Sequence, residues 1–574
     1  MKHRRIGKRT LCVWALILVG GLVGCAKKPP ADLVLIQGKI ITMEASAPAA
    51  EALAVRGDRI VAVGKTKEIK PYIGASTRVI DLAGRTAIPG FIDSHAHFTG
   101  VGEARMILDL TRTKNWEEIV ALVAEAARNA KPGEWIRGRG WHQEKWDKRP
   151  EPSVDGLPFH DALSRVTPDN PVWLEHASGH SCLANSKAME LGGVGPKTPN
   201  PAGGEIVRDA RGNPIGAFRE TAQGLIGRAL YGAELQKTEA QRVEEEKRAI
   251  DLASRECLSK GITSVHDAGA SFGTIDLYRE LAEQGKLGVR IYAMISERNS
   301  ELEKRLAQYR ILGAGQNHLT VRAIKRLLDG ALGAHGAWLL EPYADLPSST
   351  GLNTMPVDEL KETARLAIEN DFQLCTHAIG DRANREILDI YEQALAAHPE
   401  KKDLRWRVEH AQHLAGSDIP RFGRLGVIAA MQGIHCVSDG PWIPKKLGEA
   451  RSKEGAYVWR SLLNGGAMIS NGTDAPVEDI DPIPSFTATV TRKMKDGHAF
   501  FPEQRLSREE ALRTYTLGGA TAAFQEDLLG SLKAGKLADI TVLSKDILSV
   551  PEEEIPATEV RLTIVGGRVV FQKD

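Results

Sequence analysis

The 574-residue chain has no charge excess, no paired-cysteine motif and no hydrophobic run of membrane-spanning length. Each absence removes a class of function. Lysine and arginine together number 75 against 74 aspartates and glutamates, so no basic surplus is left to grip a polyanion, and nucleic acid is not an expected partner. The six cysteines contain no Cys-x-x-Cys pair, which leaves out the common structural zinc site. Cys182, Cys257, Cys375 and Cys436 are far apart and follow no small-domain disulfide spacing. Cys257 and Cys375 lie in apolar segments and read as small core residues. There is no His-Glu-x-x-His helix and no phosphate-binding Gly-x-x-x-x-Gly-Lys-Ser/Thr loop. Gly138-Arg139-Gly140 lacks the strand and helix that a dinucleotide site needs. No internal repeat or low-complexity tract is present. A chain of this length accommodates one large α/β barrel with a small added domain, or three compact domains.

What is present begins with a leader. Residues 1–9 are basic, and Leu11 to Leu22 is almost wholly apolar but too short and too abruptly ended for a membrane helix. Leu22-Val23-Gly24-Cys25 follows. A basic start, a short apolar core and small residues before a cut site read as a secretory signal. The ending resembles the bacterial lipobox, which implies a lipoprotein signal over residues 1–25 in which Cys25 takes the lipid and becomes the first residue of the mature protein, and residence in the bacterial envelope. Ala26 after the cysteine, where Asp does not stand, resembles lipoproteins that move to the outer membrane. The membrane is then a partner through the lipid alone.

Residues 26–85 alternate short β-rich runs with turns at Gln37-Gly38, Arg56-Gly57-Asp58 and Gly64, and residues 526–574 do the same. Each end alone leaves a hydrophobic sheet face uncovered, so the two are expected to form one small β-sandwich. In residues 86–525, strand-like runs alternate with helical stretches such as Thr238 to Leu258, Val357 to Asn370 and Asn384 to Ala397. The strand candidates are the run before His95, Pro171 to Leu174, Ile262 to His266, Val321 to Lys325, Phe372 to His377, Trp406 to His410, Val427 to Met431 and Ala467 to Ser470. About eight strand–helix units predict an α/β fold built on a closed parallel (β/α)8 barrel. The stretch at about 103–231, with Trp135, Trp141, Trp146 and Trp173, fits the repeat poorly. It reads as an insertion over the barrel mouth that holds one or two barrel elements and serves as a specificity lid.

The chemistry-bearing residues lie at the ends of these runs. His95-Ala96-His97 places two imidazoles on one face of a strand, within reach of one ion. Lys325, His377, His410 and Asp474 each close a later apolar run. A barrel puts its catalytic groups at the C-terminal ends of its strands, and this set is able to hold two divalent ions. Bland alternatives exist for each: a surface or salt-bridged Lys325, core histidines at 377 and 410, and a turn-capping Asp474. His180 is a second catalytic candidate from the insertion, and His266, His335, His413 and His435 are further options. Gly269-Ala270-Ser271-Phe272-Gly273 matches the Gly-x-Ser-x-Gly nucleophile elbow as a string, with a plain barrel loop as the simpler reading.

Ile88-Pro89-Gly90-Phe91-Ile92-Asp93-Ser94-His95-Ala96-His97 resembles the first metal-binding strand of the amidohydrolase superfamily. Leu529 to Asp539 is similar to that superfamily's return to its β-sandwich. Asp329-Gly330-Ala331-Leu332-Gly333, Glu341-Pro342-Tyr343, Gly179-His180-Ser181 and Asn185-Ser186-Lys187-Ala188 resemble the family 3 branch that contains N-substituted formamide deformylase. The resemblance implies that His95, His97 and Asp474 hold one ion, that His377 and His410 hold a second, and that a carboxylated Lys325 bridges them. Zinc suits such imidazole and carboxylate ligands. His335 stands in the Gly333 to Ala337 stretch where relatives often carry Arg, so that arginine's role does not transfer. The expected activity is metal-dependent hydrolysis of a non-peptide C–N bond in a small molecule, with Asp474 as general base. Ester, lactone or phosphoester hydrolysis on the same site, and a non-catalytic binding lipoprotein, are the alternatives.

Overall fold

Strands buried on both faces read as continuous apolar runs, and eight of them form the barrel in this computed structural model. It describes residues 28–143, 146–176, 181–201, 204–333 and 335–573. The barrel strands are β1 (Phe91–Ala96), β2 (Ile262–Ala270), β3 (Arg290–Ile295), β4 (Leu319–Leu327), β5 (Gln373–Ala378), β6 (Arg407–His410), β7 (Ile428–Gln432) and β8 (Ile469–Gly472). All seven neighbouring pairs from β1 to β8 run parallel. The nearly closed ring is completed where Asp474 N donates to His95 O and His97 N donates to Ala475 O, each at 2.7 Å.

Helices cover the outside because their apolar residues recur at helical spacing. Val357–Glu369 buries Leu360, Ala364, Ala367 and Ile368, and Asp381–Ala397 buries Ala383, Ile387, Leu388 and Tyr391. The barrel interior is partly polar. Alternation along the strands turns His266, Tyr292, Lys325, Cys375, Arg407 and Glu409 inward, all buried.

Two sheets join the chain ends. One has the order Arg59–Gly64, Ala52–Arg56, Leu33–Ile36, Arg78–Asp81. The other runs Arg568–Gln572, Val560–Val565, Ile540–Leu543, Thr86–Pro89, Lys39–Ile41, Ala49–Ala50. Leu33, Leu53, Val55, Ile40, Ile540, Val542 and Ile564 fill the space between them. Thr86–Pro89 pairs antiparallel with Ile540–Leu543 and so belongs to the sandwich, and the barrel strands begin at Phe91. The sandwich is locked to the barrel by a buried pair, Arg290 Nε to Asp539 Oδ2 at 2.7 Å and Nη2 to Oδ1 at 3.0 Å.

The insertion differs from expectation. Val172–His176, which overlaps the Pro171 to Leu174 candidate, lies in a separate six-stranded sheet, parallel to Ile136–Trp141 and antiparallel to Ser181–Ala184. No barrel strand comes from the described residues of this region. The missing strand is β3, whose apolar run is interrupted by Arg290, a residue that burial tolerates because Asp539 neutralises it. The insertion has its own core of Leu110, Trp116, Ile119, Ile136, Trp141 and Val172. Trp141 is fully buried there and donates its indole N–H to Leu174 O at 2.9 Å. One sheet edge of the insertion, at Leu108 and Arg139, meets the loop after β8 across a cavity of about 350 Å³ that Arg105, Pro476 and Val477 also line.

Candidate metal centre

Five strands converge their ends on one spot. His95 comes from β1, His97 from just beyond it, Lys325 from β4, His377 from β5, His410 from β6 and Asp474 from just beyond β8. His97 Nε2 lies 3.3 Å and His95 Nε2 3.6 Å from Asp474 Oδ1. Ligand atoms bound at zinc distances stand roughly 3.3–3.6 Å apart around a tetrahedron, so Asp474 Oδ1 stands at ligand spacing from both histidines, and the ligand atoms of all three side chains lie within 4.8 Å of one another. The His377 and His410 rings are 4.4 Å apart, and those of His95 and His410 4.8 Å. His377 Nε2 is buried without a hydrogen-bond partner, 3.5 Å from Asp329 Oδ1. Lys325 Nζ reaches His95 Nε2 at 3.5 Å and Ala268 O at 3.4 Å. Among the described residues no carboxylate lies within 4.0 Å of it.

Backbone placement accounts for two of these positions. Alternation with inward Arg407 and Glu409 would turn His410 outward, but His410 adopts φ 73° and swings into the centre. Asp474 has φ 60°. Such left-handed conformations in non-glycine residues cost about 1–3 kcal/mol each and gather at functional sites. Gly472 permits the approach of β8 to β1, since a Cβ there would stand 2.4 Å from His95 N.

A ring of partners orients the ligands. His95 Nδ1 donates to the Glu409 carboxylate, which leaves Nε2 bare toward Asp474. Arg407 Nη2 donates to Glu409 Oε2 at 2.9 Å and to Ser94 O at 2.7 Å. Arg407 Nε lies 2.7 Å from Glu409 Oε1 but is not aligned for a hydrogen bond. His266 Nδ1 accepts from Arg407 Nη1 at 3.0 Å. His410 Nδ1 donates to Gln432 Oε1 at 2.6 Å, and Gln432 Nε2 donates to Ala430 O, which fixes that amide. Asp93 ties β1 to the Asp474 loop by accepting from His95 N at 3.0 Å and Thr473 Oγ1 at 2.7 Å. Asp329 accepts from the backbone N–H groups of Trp338, Ile379 and Gly380, clasping the loops after β4 and β5.

Burial, then the Lys325 charge, pushes His95 down to about 4 and His377 to about 3. Burial, followed by His377, holds His410 well below its ordinary value. Neutral imidazole is the ligating form. Burial opposes ionisation of Asp474, but the hydrogen bond from His97 and the nearby His410 and His95 more than offset it, so its carboxyl lies below the usual range. Burial lowers Lys325.

Other sequence candidates fall elsewhere. His180 and Cys25 lie outside the described residues. His335 sits in a loop, 3.0 Å from Asp345 Oδ1 and 2.8 Å from Lys446 Nζ. His266 is buried beneath the centre against Arg407, and His413 lies beside Gln412. Ser271 caps the helix Phe272–Glu283, accepting from Thr274 N at 3.1 Å, so the nucleophile-elbow string is a helix start. His435, weighed only as a minor option, reaches the centre: His410, His435 and Asp474 bring ligand atoms within 4.8 Å of one another. Glu409, Arg407, Asp93 and Gln432 escaped the sequence reading. The signal was faint: an acid and a base two apart on the strand that ends in His410.

The amidohydrolase family model matches residues 78–571. Protein LONG AFTER FAR-RED 3 of Arabidopsis thaliana is 35% identical over 554 residues, 94% of this chain and 92% of that one. N-substituted formamide deformylase of Arthrobacter pascens is 27% identical over 562 residues, 94% and 98% of the two chains. An uncharacterised metal-dependent hydrolase of Pyrococcus furiosus superposes with a TM-score of 0.71 at 28% identity, over 90% of this chain and all of that one. The match spans both the barrel and the sandwich, and the chain belongs to the amidohydrolase family.

Proposed function

We propose that the protein is a metal-dependent hydrolase of non-peptide C–N bonds in small molecules, such as an amide, a formamide or a cyclic imide. The observation that carries this reading is the convergence of four histidines, one buried lysine and one carboxylate on the ends of five barrel strands. His95, His97 and Asp474 would hold one divalent ion, and His377, His410 and Lys325, the last carboxylated, a second. Zinc is favoured by the imidazole-rich donor set. A divalent ion bound there lowers the pKa of water and polarises a carbonyl group.

The chain's own residues supply the rest. The ionised Asp474 carboxylate takes the proton of the attacking water and passes it to the leaving nitrogen. Glu409 and Gln432 keep the unprotonated nitrogens of His95 and His410 turned into the centre. Asp93 keeps His95 and Asp474 in register. The likeness to a formamide deformylase supports a C–N substrate, and the folded insertion beside the Asp474 loop supports a lid that selects it. We also read Cys25 as the lipid-bearing residue that tethers the body to a membrane.

Protein stripped with a chelator and reloaded with zinc should regain hydrolysis of small N-formyl or N-acyl amines. Full activity without metal would refute the mechanism. A parallel panel of esters and lactones decides the bond, because barrel and ligands alone do not.

A further inference from the structure

His435 has no task in the scheme above. It opens the short helix His435–Asp439 after β7 and is buried at 8% exposure. Its Nε2 has no hydrogen-bond partner and lies 4.0 Å from Asp474 Oδ2. The ring runs nearly parallel to that of His410, with centroids 6.3 Å apart and planes 14° from each other. A buried polar nitrogen left unsatisfied is costly, and this one is aimed at the carboxylate assigned as base.

The 4.0 Å gap decides what fits. It is too long for a direct hydrogen bond, and wider than the roughly 3.3–3.6 Å between ligands of one tetrahedral zinc. Two hydrogen bonds of about 2.8–3.0 Å that share a central atom at about 90–110° put their outer atoms roughly 4.0–4.9 Å apart. A single nitrogen or oxygen atom can therefore bond His435 Nε2 and Asp474 Oδ2 together.

We propose that His435 is a further catalytic residue that, with Asp474, receives the leaving nitrogen of the substrate, and that it selects amides carrying an N–H on that nitrogen. This rests on the C–N hydrolase reading. Water's oxygen bonds to the carbonyl carbon and one of its protons goes to Asp474. As the C–N bond breaks, its electron pair stays on nitrogen and Asp474 returns the proton there. The products are a carboxylic acid and a neutral amine. His435 Nε2 accepts the N–H of the leaving nitrogen throughout and so points the departing electron pair at the Asp474 carboxyl.

The test compares His435→Ala and His435→Asn with the parent, all reloaded with zinc. Zinc content and the melting temperature of the metal-free protein should match the parent. The kcat/KM for N-monosubstituted amides should fall by about 10²-fold, within the range that such contacts contribute. N-methylated counterparts, which lack the N–H, should change by less than about threefold. Acetohydroxamate and N-methylacetohydroxamate binding, measured by calorimetry, gives the same comparison without turnover. The parent should prefer the N–H form and the variants should not. Loss of zinc in both variants, or an unchanged N–H preference, overturns the proposal. A parent that holds zinc but hydrolyses no amide refutes the C–N reading, and the hydroxamate pair then still judges His435. A parent that takes up no divalent metal refutes both.

Discussion

Replacing Glu409 with glutamine asks whether the buried ion pair beneath the centre prepares it for metal. The Glu409 carboxylate accepts from His95 Nδ1 on one side and from Arg407 on the other, and all three side chains are fully buried. Glutamine keeps the shape but has only one accepting oxygen. Turned to His95, it aims its NH2 at the Arg407 donors. Turned to Arg407, it obliges His95 Nδ1 to accept, which moves the ring proton to Nε2, the nitrogen facing Asp474. Either arrangement weakens His95 as a ligand, and losses of a histidine's outer partner run to roughly 10–100-fold in metal affinity, or about 1.4–2.7 kcal/mol. Chelator competition on purified protein measures this directly. Glu409 also carries a pH signature. Burial alone would raise its carboxyl, yet Arg407 and His95 hold it down to about 2 from 4.5. A depressed carboxylate pKa adds stability above about pH 4.5 that is lost as pH falls toward 2. The metal-free parent should lose stability over that acid window, and the glutamine variant should lose less of it. An unchanged zinc affinity in Glu409→Gln would show that His95 needs no such orientation.

Lys325→Ala should lose metal and activity together, with partial return of both on adding short carboxylic acids, as elemental analysis and the amide assay would record. A variant with full metal content would exclude the lysine as a bridge. Asp539→Ala leaves Arg290 buried and unpaired and should cost about 3–5 kcal/mol, whereas a double change to Arg290→Met and Asp539→Leu should cost less; denaturant midpoints compare them, and equal losses would refute the ion-pair account. Cys25→Ser should move the protein from the membrane fraction to the soluble one, or leave it uncleaved, without altering zinc content. Unchanged lipid labelling would place the anchor elsewhere.

The barrel was legible because most of its strands carry short apolar runs, each followed by a helix. Period two alone sets His95 beside His97. What periodicity does not encode is which sheet a strand joins. Val172–His176 reads like a barrel strand and lies in the insertion, while β3 carries a buried arginine whose partner is almost 250 positions away. Side-chain direction at a strand end was equally hidden, since the left-handed turn at His410 reverses the alternation. Glu409 and His435 lie beside residues distant in sequence, and only the closed barrel brings them to His95 and Asp474.

The sheet that holds residue 87 against residue 542 sets a schedule for making the protein. At roughly 5–20 residues per second, roughly 20–90 seconds separate the synthesis of these two partners. During that interval Thr86–Pro89 offers an open edge, the kind of surface that recruits stray strands. A message cut short of residue 540 would still encode His95, His97, Lys325, His377, His410 and Asp474, yet its first sheet could never close. Because strands made far later complete this sheet, a copy truncated before residue 540 would carry an open edge at Thr86–Pro89 even though its reaction centre is fully spelled out.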